Sequence, residues 1–437
     1  MRAAFGTACS IGVIAFQGAV APVLGQPVQP GESVTLDRAV SIALDRSPQM
    51  LQQEQAVENA SLAKRSAWAS FLPSVNANSS GSLRSSRVLD PNTGQIVAGS
   101  SDSYSAGLSA SVPIFQGGSR FIQLGSADAD QRAALARREN QRHNVILQTK
   151  NLFFGALRQE ELVEVRRTQL ERTRQNLELV VTRLRVGRAT ISDSLRARLD
   201  VVNARQALLE TETALRAARI SLGRQVGISA PVVPELPSDL APTPLPLTDD
   251  EIMALAEESS PTVVAAVEAA DASAAAVSVN RTAYLPNINL NSGYSWNNQE
   301  RSFTGGSTSW NMGLSVSYPI FNRFQRESNL DRAQMTLRVA RLQKEDARLA
   351  ARQEADAALN TLRTAELGIE IAEEAVVVAE EDFRVVRQRY EAGVATILDI
   401  LVSQAAADQA GADLVGARYD YTLARASLEA VLGRELR

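Results

Sequence analysis

The feature that most constrains this sequence is an internal repeat. Gly187 and Gly393 lie 206 residues apart, and the same spacing separates Pro113 from Pro319. In a chain of 437 residues, two halves of this length indicate a repeat architecture rather than unrelated globular domains. The predicted divisions are a first repeat at 26–230, a proline-rich connector at 231–247 and a second repeat at 248–437.

Each repeat is built around one very long helical pattern. The segments 116–186 and 322–392 contain no proline, and each would extend for about 105 Å as an α-helix. Only 5% of the residues are aromatic although 45% are hydrophobic, which favours narrow helix seams over one bulky core. A heptad spacing of apolar residues in the first long segment indicates coiled-coil packing. The heptad positions are Val163, Leu170, Leu177 and Leu184.

Shorter helical patterns precede and follow each long one. They cover 36–70 and 190–226 in the first repeat and 249–283 and 396–432 in the second, with proline near the start of each opening pattern. The two shorter helices of a repeat together match the length of its long helix. We therefore expect them to stack end to end along it.

The long helix and the returning helix are joined by nearly the same turn in both repeats. A glycine ends the first helix, and Thr-Ile-x-Asp opens the next, at 190–193 and at 396–399. Threonine with an acid three residues later is the pattern of a capping box, although glutamate or glutamine is commoner in that place. Capping alone explains Asp193 and Asp399, and any further role needs separate support.

A two-residue alternation follows each opening helix. Apolar residues from Tyr104 to Ile114 alternate with Ser and Gly, and apolar residues from Trp310 to Ile320 alternate with Ser, Asn and Gly. With their preceding partners they predict hairpins at about 74–115 and 286–321. One apolar and one uncharged polar face suits a wall between lipid and water, and the alternative is a hairpin packed on a soluble core. Four strands cannot enclose a water-filled bore, so a membrane wall would require several chains.

Composition excludes several other classes. Residues 1–25 have the charge and apolar pattern of a signal peptide, and they contain the only cysteine, Cys9. With one histidine, His143, and no Gly-rich phosphate loop, we expect no catalytic, cofactor-binding or metal site. The net charge of −4 gives no basic surface for nucleic acid, and no uninterrupted apolar run reaches the ~18 residues of a membrane helix.

Taken in order, these motifs resemble the TolC-like outer-membrane efflux proteins, or outer membrane factors. The resemblance rests on the doubled halves, the hairpins ending in Val-Pro-Ile-Phe at 112–115 and Tyr-Pro-Ile-Phe at 318–321, and the two turns. It implies a mainly α fold with a β-barrel portion. The implied assembly is a homotrimer whose 12-stranded transmembrane barrel lies in a Gram-negative-type outer membrane. Its coiled-coil-like helical barrel would extend into the periplasm. The function implied is that of a passive exit duct in a tripartite efflux pump or type I secretion system. The implied partners are outer-membrane lipid, a periplasmic adaptor protein and, through the adaptor, an inner-membrane pump or exporter ATPase.

The resemblance also implies roles for individual residues. Asp399 matches an acidic position that rings the periplasmic entrance, Asp193 is its counterpart, and Tyr390 matches a tyrosine that latches neighbouring tips. The sequence departs from the family pattern at Ala395, where a latching arginine would stand, and at Val402, where a second acid would stand. Arg185, Arg188 and Arg389 are the candidate replacements for that arginine.

Further positions are expected to contact the partners. The adaptor-docking tips are Val186, Gly187, Arg188, Ala392, Gly393 and Val394. Phe115 and Phe321 fit an aromatic belt at the lipid boundary or, alternatively, packing at the neck of the barrel. A soluble periplasmic coiled-coil adaptor or scaffold is the main rival function. Drugs, metal ions and secreted proteins remain open as cargo.

Overall fold

The computed structural model describes residues 33–89, 94, 96–236, 241–300, 302 and 304–436, without the side chains of 85–93 and 95–101. The predicted signal peptide and Cys9 lie outside these residues. Among the described residues the helices are α1 (Leu36–Arg46), α2 (Pro48–Ala69), α3 (Ser119–Arg185), α4 (Ile191–Gln225), α5 (Asp249–Ser259), α6 (Pro261–Arg281), α7 (Gln325–Ala392) and α8 (Ile397–Leu432). The strands are β1 (Ser33–Val34), β2 (Ser74–Leu89), β3 (Ile96–Gln116), β4 (Val233–Pro234), β5 (Asn287–Asn298) and β6 (Ser307–Ser317).

Caps and prolines set the helix boundaries. Ser47 ends α1 and caps α2 by accepting from the Met50 N–H at 3.3 Å, and Pro48 occupies the first turn of α2. Ser260 and Pro261 occupy the same places between α5 and α6. Each opening pattern is therefore two helices rather than one bent helix.

The helices lie in an order that follows the sheet. Strands pair in the order β2–β3–β5–β6, and next to them α2 packs on α3, α3 on α6, and α6 on α7. Toward the turns, α4 packs on α3, α3 on α8, and α8 on α7. The prediction that two shorter helices flank each long helix is confirmed. The protomer has two lateral edges, one formed by β2, α2 and α4 and the other by β6 and α7.

The core is a set of narrow seams in which alanine is the commonest buried residue. One of the two largest clusters among the described residues lies at mid-length, where Phe153, Leu157, Leu222 and Tyr419 are almost fully buried. The short parallel pair of β1 with β4 lies beside this cluster. The predicted heptad positions Val163 and Leu170 are buried, whereas Leu177 and Leu184 are only partly buried.

The four-stranded sheet has one apolar and one polar face. Leu108 pairs with Tyr294 and Tyr294 with Trp310, so these side chains form one apolar row across three strands. On the other face, serine hydroxyls bond in pairs, Ser80 with Ser105 at 2.7 Å and Ser295 with Ser309 at 2.9 Å. All 11 residues of β6 are exposed, so no core covers either face of that strand.

Two features differ from the sequence expectations. β6 ends at Ser317, so Tyr318 and Ile320 lie beyond the strand that their alternation predicts. The helical segment Asp249–Tyr284 is long and apolar enough to cross a membrane by average hydropathy. The sequence criterion missed this segment because Glu268 interrupts its apolar run. Its α6 part packs on α3 and α7, so alanine-rich helix packing accounts for its composition.

Candidate functional site: the helical tips and the rim of the sheet

The first tip joins α3 to α4 through a left-handed glycine. Gly187 has φ 79°, and the Arg188 N–H donates to the Arg183 carbonyl at 2.8 Å, which closes the end of α3. The Asp193 N–H donates to the Thr190 hydroxyl at 3.1 Å, and the Thr190 N–H donates to the Asp193 carboxylate at 2.9 Å. The predicted capping box is therefore confirmed.

The second tip repeats this geometry between α7 and α8. Gly393 has φ 84°, and the Val394 N–H donates to the Arg389 carbonyl at 2.9 Å. The Thr396 N–H donates to Asp399 at 2.8 Å, and the Asp399 N–H donates to the Thr396 hydroxyl at 3.3 Å. Both tips are thus chain reversals held by the same three hydrogen bonds, one between backbone groups and two of the capping box.

The two capping aspartates are held in the ionised state. Hydrogen bonds from the backbone and hydroxyl of Thr190 lower the pKa of Asp193, and those of Thr396 lower the pKa of Asp399. Asp399 is exposed and Asp193 is partly exposed. Each tip therefore presents a fixed negative charge. Such a charge fits both a capping role and an electrostatic role at an entrance.

Arg183 connects the two tips. Its guanidinium carbon lies 4.5 Å from the centroid of the Tyr390 ring, and it donates to the Tyr390 carbonyl. Tyr390 is 5% exposed, and burial raises the pKa of its phenol. Within one chain, the arginine that contacts Tyr390 is therefore Arg183, whereas Arg185, Arg188 and Arg389 are the predicted candidates for a latch between neighbouring tips. Arg183 and Leu184 are the repeat partners of Arg389 and Tyr390. This correspondence places an arginine at the equivalent level of the first tip, and sequence reasoning did not use it.

A buried polar bridge lies farther from the tips and joins three helices. Asn176 on α3 donates to Gln404 on α8, and Gln404 donates to Asp200 on α4 at 3.2 Å. Arg172 lies 3.6 Å from the buried Asp408. Burial raises the pKa values of Asp200 and Asp408. Sequence reasoning did not identify this bridge, because a polar residue at a seam position has no partner until the neighbouring helices are known.

The predicted docking residues lie at the surface of the two tips. Val186 and Val394 are each 66% exposed, and Arg188, Ala392 and both glycines are exposed as well. Exposed apolar residues continue from these tips along α4 and α8. They are Ile191, Leu195 and Leu199 on α4 and Leu398 and Val402 on α8.

The rim where strands meet helices carries aromatic side chains. Phe115 lies at a register shift in β3 and is 42% exposed, and Phe321 is 70% exposed. The Phe321 ring packs edge-on against Phe324, with 5.5 Å between centroids. This exposure favours the belt over neck packing within one protomer. No group of three or more His, Cys, Asp or Glu that could hold a metal occurs among the residues that the structure describes.

The chain is similar to known outer-membrane proteins along nearly its whole length. The family model for the outer membrane efflux protein matches residues 39–227 and again 252–434. Protein CyaE of Bordetella pertussis is 26% identical over 433 residues, covering 95% of this chain and 86% of that protein. Outer membrane protein TolC of Vibrio cholerae is 22% identical over 90% of this chain and 89% of its own length.

The fold is also that of solved channels. The CmeC outer membrane channel of Campylobacter jejuni superposes with a TM-score of 0.79 at 18% identity, covering 94% of this chain and 90% of that one. At this identity the likeness concerns the fold alone. The match to the family model covers both repeats and carries the assignment. The chain belongs to the outer membrane efflux protein family.

Proposed function

We propose that this chain is one protomer of a homotrimeric channel in the outer membrane of a Gram-negative-type envelope. The trimer is the passive exit duct of a tripartite efflux pump or a type I secretion system. Three four-stranded sheets form one 12-stranded barrel, and the helices continue its bore through the periplasm. Membership of the outer membrane efflux family supports this function.

The observation that carries the proposal is the four-stranded sheet, which has one apolar and one polar face and whose strand β6 is exposed along its whole length. Leu108, Tyr294 and Trp310 are 53–75% exposed on one face, although they form a continuous apolar row. Water penalises such a row, whereas lipid does not. The serine-lined face opposite suits an aqueous bore. The outer edges of β2 and β6 have no partner strand within the described protomer, and unpaired backbone groups are not tolerated in lipid.

The helices at the two lateral edges also expose apolar side chains that a neighbouring copy could bury. On α4 an exposed apolar stripe runs along the edge that α3 does not cover, and α7 has a comparable stripe on the opposite edge. The α4 residues are Ile191, Leu195, Leu199, Val202, Leu209 and Ile220, and the α7 residues include Leu342, Leu349, Leu367 and Ile371. A second copy that places its α7 on α4 also brings its β6 to β2. A single interface between two copies would therefore pair the free strand edges and bury the apolar stripes of α4 and α7.

The tips are the docking ends for a periplasmic adaptor. Val186, Gly187 and Arg188 on one tip and Ala392, Gly393 and Val394 on the other are exposed on rigid turns, as a recognised end should be. The adaptor links the duct to an inner-membrane pump or exporter ATPase. Drugs, metal ions and proteins can use the same bore, so the cargo follows from the pump, and the neighbouring genes identify it.

Gating residues lie at the same end. Asp399 and Asp193 form a negatively charged entrance that favours cations, and Arg183 on Tyr390 holds the two tips of a protomer together in the closed state. The latch thus uses Arg183 in place of the arginine that Ala395 replaces.

The decisive experiment is expression of the full chain with its leader, followed by fractionation. We expect a heat-modifiable trimer that leaves outer membranes only with detergent and forms pores in planar bilayers. The rival function, a soluble periplasmic adaptor or scaffold, predicts extraction in plain buffer and no conductance.

A further inference from the structure

The junction between sheet and helices is strongly basic as well as aromatic. The four segments 64–73, 117–124, 276–286 and 318–330 contain six Lys or Arg and one acidic residue, Glu327. The basic residues are Lys64, Arg65, Arg120, Arg281, Arg323 and Arg326. Seven aromatic residues accompany them: Trp68, Phe71, Phe121, Tyr284, Tyr318, Phe321 and Phe324. We call these thirteen residues the junction band.

Two arginines of the junction band are fixed by a contact that recurs in both repeats. Arg120 lies 5.1 Å from the Phe71 ring centroid and donates to the Ile114 carbonyl at 3.1 Å. Arg326 lies 4.8 Å from the Tyr284 centroid and donates to a carbonyl at the end of the strand segment, that of Pro319, at 3.0 Å. Each strand-to-helix junction therefore holds a cation against an aromatic ring.

The other arginines are not neutralised. Lys64 pairs with Asp128 at 2.5 Å, and Arg326 lies 3.5 Å from Glu327. Arg65, Arg281 and Arg323 are exposed, and none has a carboxylate within ion-pair distance among the described residues. The junction band thus presents three positive charges that have no ion pair within one chain.

The backbone at Arg323 gives independent support. Arg323 and Phe324 both have φ 58°, and they are the only non-glycine residues with positive φ in the described part of the chain. Their repeat partners, 206 residues earlier, are Gly117 and Gly118, with φ 62° and 73°. The turn therefore suits glycine, and an arginine or phenylalanine there is strained. Phe324 packs on Phe321 within the fold, whereas Arg323 has no ion pair among the described residues. The second repeat therefore carries Arg323 at a cost in stability that contacts within the fold do not explain.

We propose that the junction band binds the phosphate headgroups of anionic phospholipids in the leaflet that faces the helices. The band continues directly from the apolar face of the sheet, where Val316 is 65% exposed, and Ile320, just beyond β6, is 85% exposed. Aromatic rings and long basic side chains are the residues that contact headgroups at a bilayer boundary. The excess of positive charge complements an anionic leaflet. The inference rests on the proposed insertion of the sheet in a bilayer.

The test measures lipid selectivity by electron spin resonance. The full mature protein is reconstituted in phosphatidylcholine vesicles with trace spin-labelled phosphatidylglycerol or phosphatidylcholine, and the relative association constants are compared. We expect the wild type to prefer phosphatidylglycerol. The triple variant Arg65→Gln, Arg281→Gln, Arg323→Gln should lose this preference, by up to roughly fivefold for each charge near the surface. The matched control, Arg185→Gln, Arg196→Gln, Arg198→Gln at the tips, should keep it.

A single variant separates binding from folding. Arg323→Gly restores the residue that this backbone conformation favours, so it should melt no lower than the wild type while weakening the preference for phosphatidylglycerol. Unchanged selectivity in the triple variant would overturn the proposal, as would a change only in the ion selectivity of the pore, which would place the arginines in the bore. If the wild type immobilises neither lipid, the proposed membrane function itself fails.

Discussion

At the scale of single residues, each tip aspartate combines a structural bond with a fixed charge. Asp399 caps α8 through the Thr396 N–H, and the same bond keeps its pKa low. The carboxylate is exposed, so its field also reaches any ion at the tip. Loss of the cap and loss of the charge can be separated, because the Thr396 side chain takes part in the cap but carries no charge itself.

Replacing Asp399 with alanine should reduce the cation selectivity of the reconstituted pore. Asp399→Ala removes one carboxylate per protomer and one cap, so we also expect trimer stability to fall by about 1 kcal/mol per helix. Thr396→Ala is the matched control, because it weakens the cap and retains the charge. If both variants conduct like the wild type and differ from it only in melting temperature, Asp399 is a cap and nothing more.

Arg183 should hold the tips closed through the ring and the carbonyl of Tyr390. Arg183→Gln removes the cation, so we expect larger or more frequent open states in single-channel recordings. Arg185→Gln, at an exposed neighbouring position, should behave like the wild type. Tyr390→Phe should also remain closed, because neither contact involves the phenol oxygen. An open Tyr390→Phe channel would assign the latch to the hydroxyl instead.

At the scale of elements, local patterns predict the helices and strands but not their neighbours. The capping boxes at Thr190 and Thr396 and the break at Pro48 follow from a few adjacent residues, and the structure contains them. The packing of α3 on α6 and α8 joins residues more than 100 positions apart. The contact of Arg183 on α3 with Tyr390 on α7 also joins distant parts of the chain and was missed for the same reason. The strained turn at Arg323 was missed for a different reason, since arginine does not signal positive φ.

The apolar stripe of α4 should be required for assembly. Leu199→Gln with Val202→Gln places amides where a neighbouring protomer would bury apolar side chains. Burial of each apolar side chain would stabilise the contact by about 1.5–3 kcal/mol. We expect the heat-modifiable trimer band to be lost. Arg198→Gln with Arg205→Gln, also exposed on α4, should assemble normally. Normal trimers from the first variant would mean that this edge faces water.

The polar bridge should make stability depend on pH. Burial raises the pKa of Asp200, so the folded state binds its proton more tightly than the unfolded state, and stability falls as pH rises through the folded-state value. Asp200→Asn removes this loss. We expect a higher trimer dissociation temperature than the wild type at about pH 7, and a difference that vanishes below pH 3.8, the ordinary pKa of an aspartate. Asp413→Asn, at an exposed site on α8, should show neither effect.

At the scale of the whole molecule, the proposed contact between copies would close both the sheet and the helical layer. The lateral edges run through β2, α2 and α4 on one side and through β6 and α7 on the other. Because strand order and helix order agree, a neighbour that fits the strands also fits the helices beneath them. A closed ring then gives every polar residue of the sheet an aqueous side and every apolar residue a lipid side.

This arrangement can be tested with single cysteines, because the only natural one, Cys9, lies in the predicted signal peptide. Ser295→Cys and Ser309→Cys, on the polar face, should react with a membrane-impermeant thiol reagent and reduce pore conductance by partial blockage. Trp310→Cys, which pairs with Tyr294 on the apolar face, should resist that reagent and react only with a lipid-soluble one. Ser309 pairs with Ser295 and is directly followed by Trp310, so differences in depth do not explain the contrast. Equal labelling of all three by the impermeant reagent would mean that both faces of the sheet contact water, and a barrel wall would be ruled out.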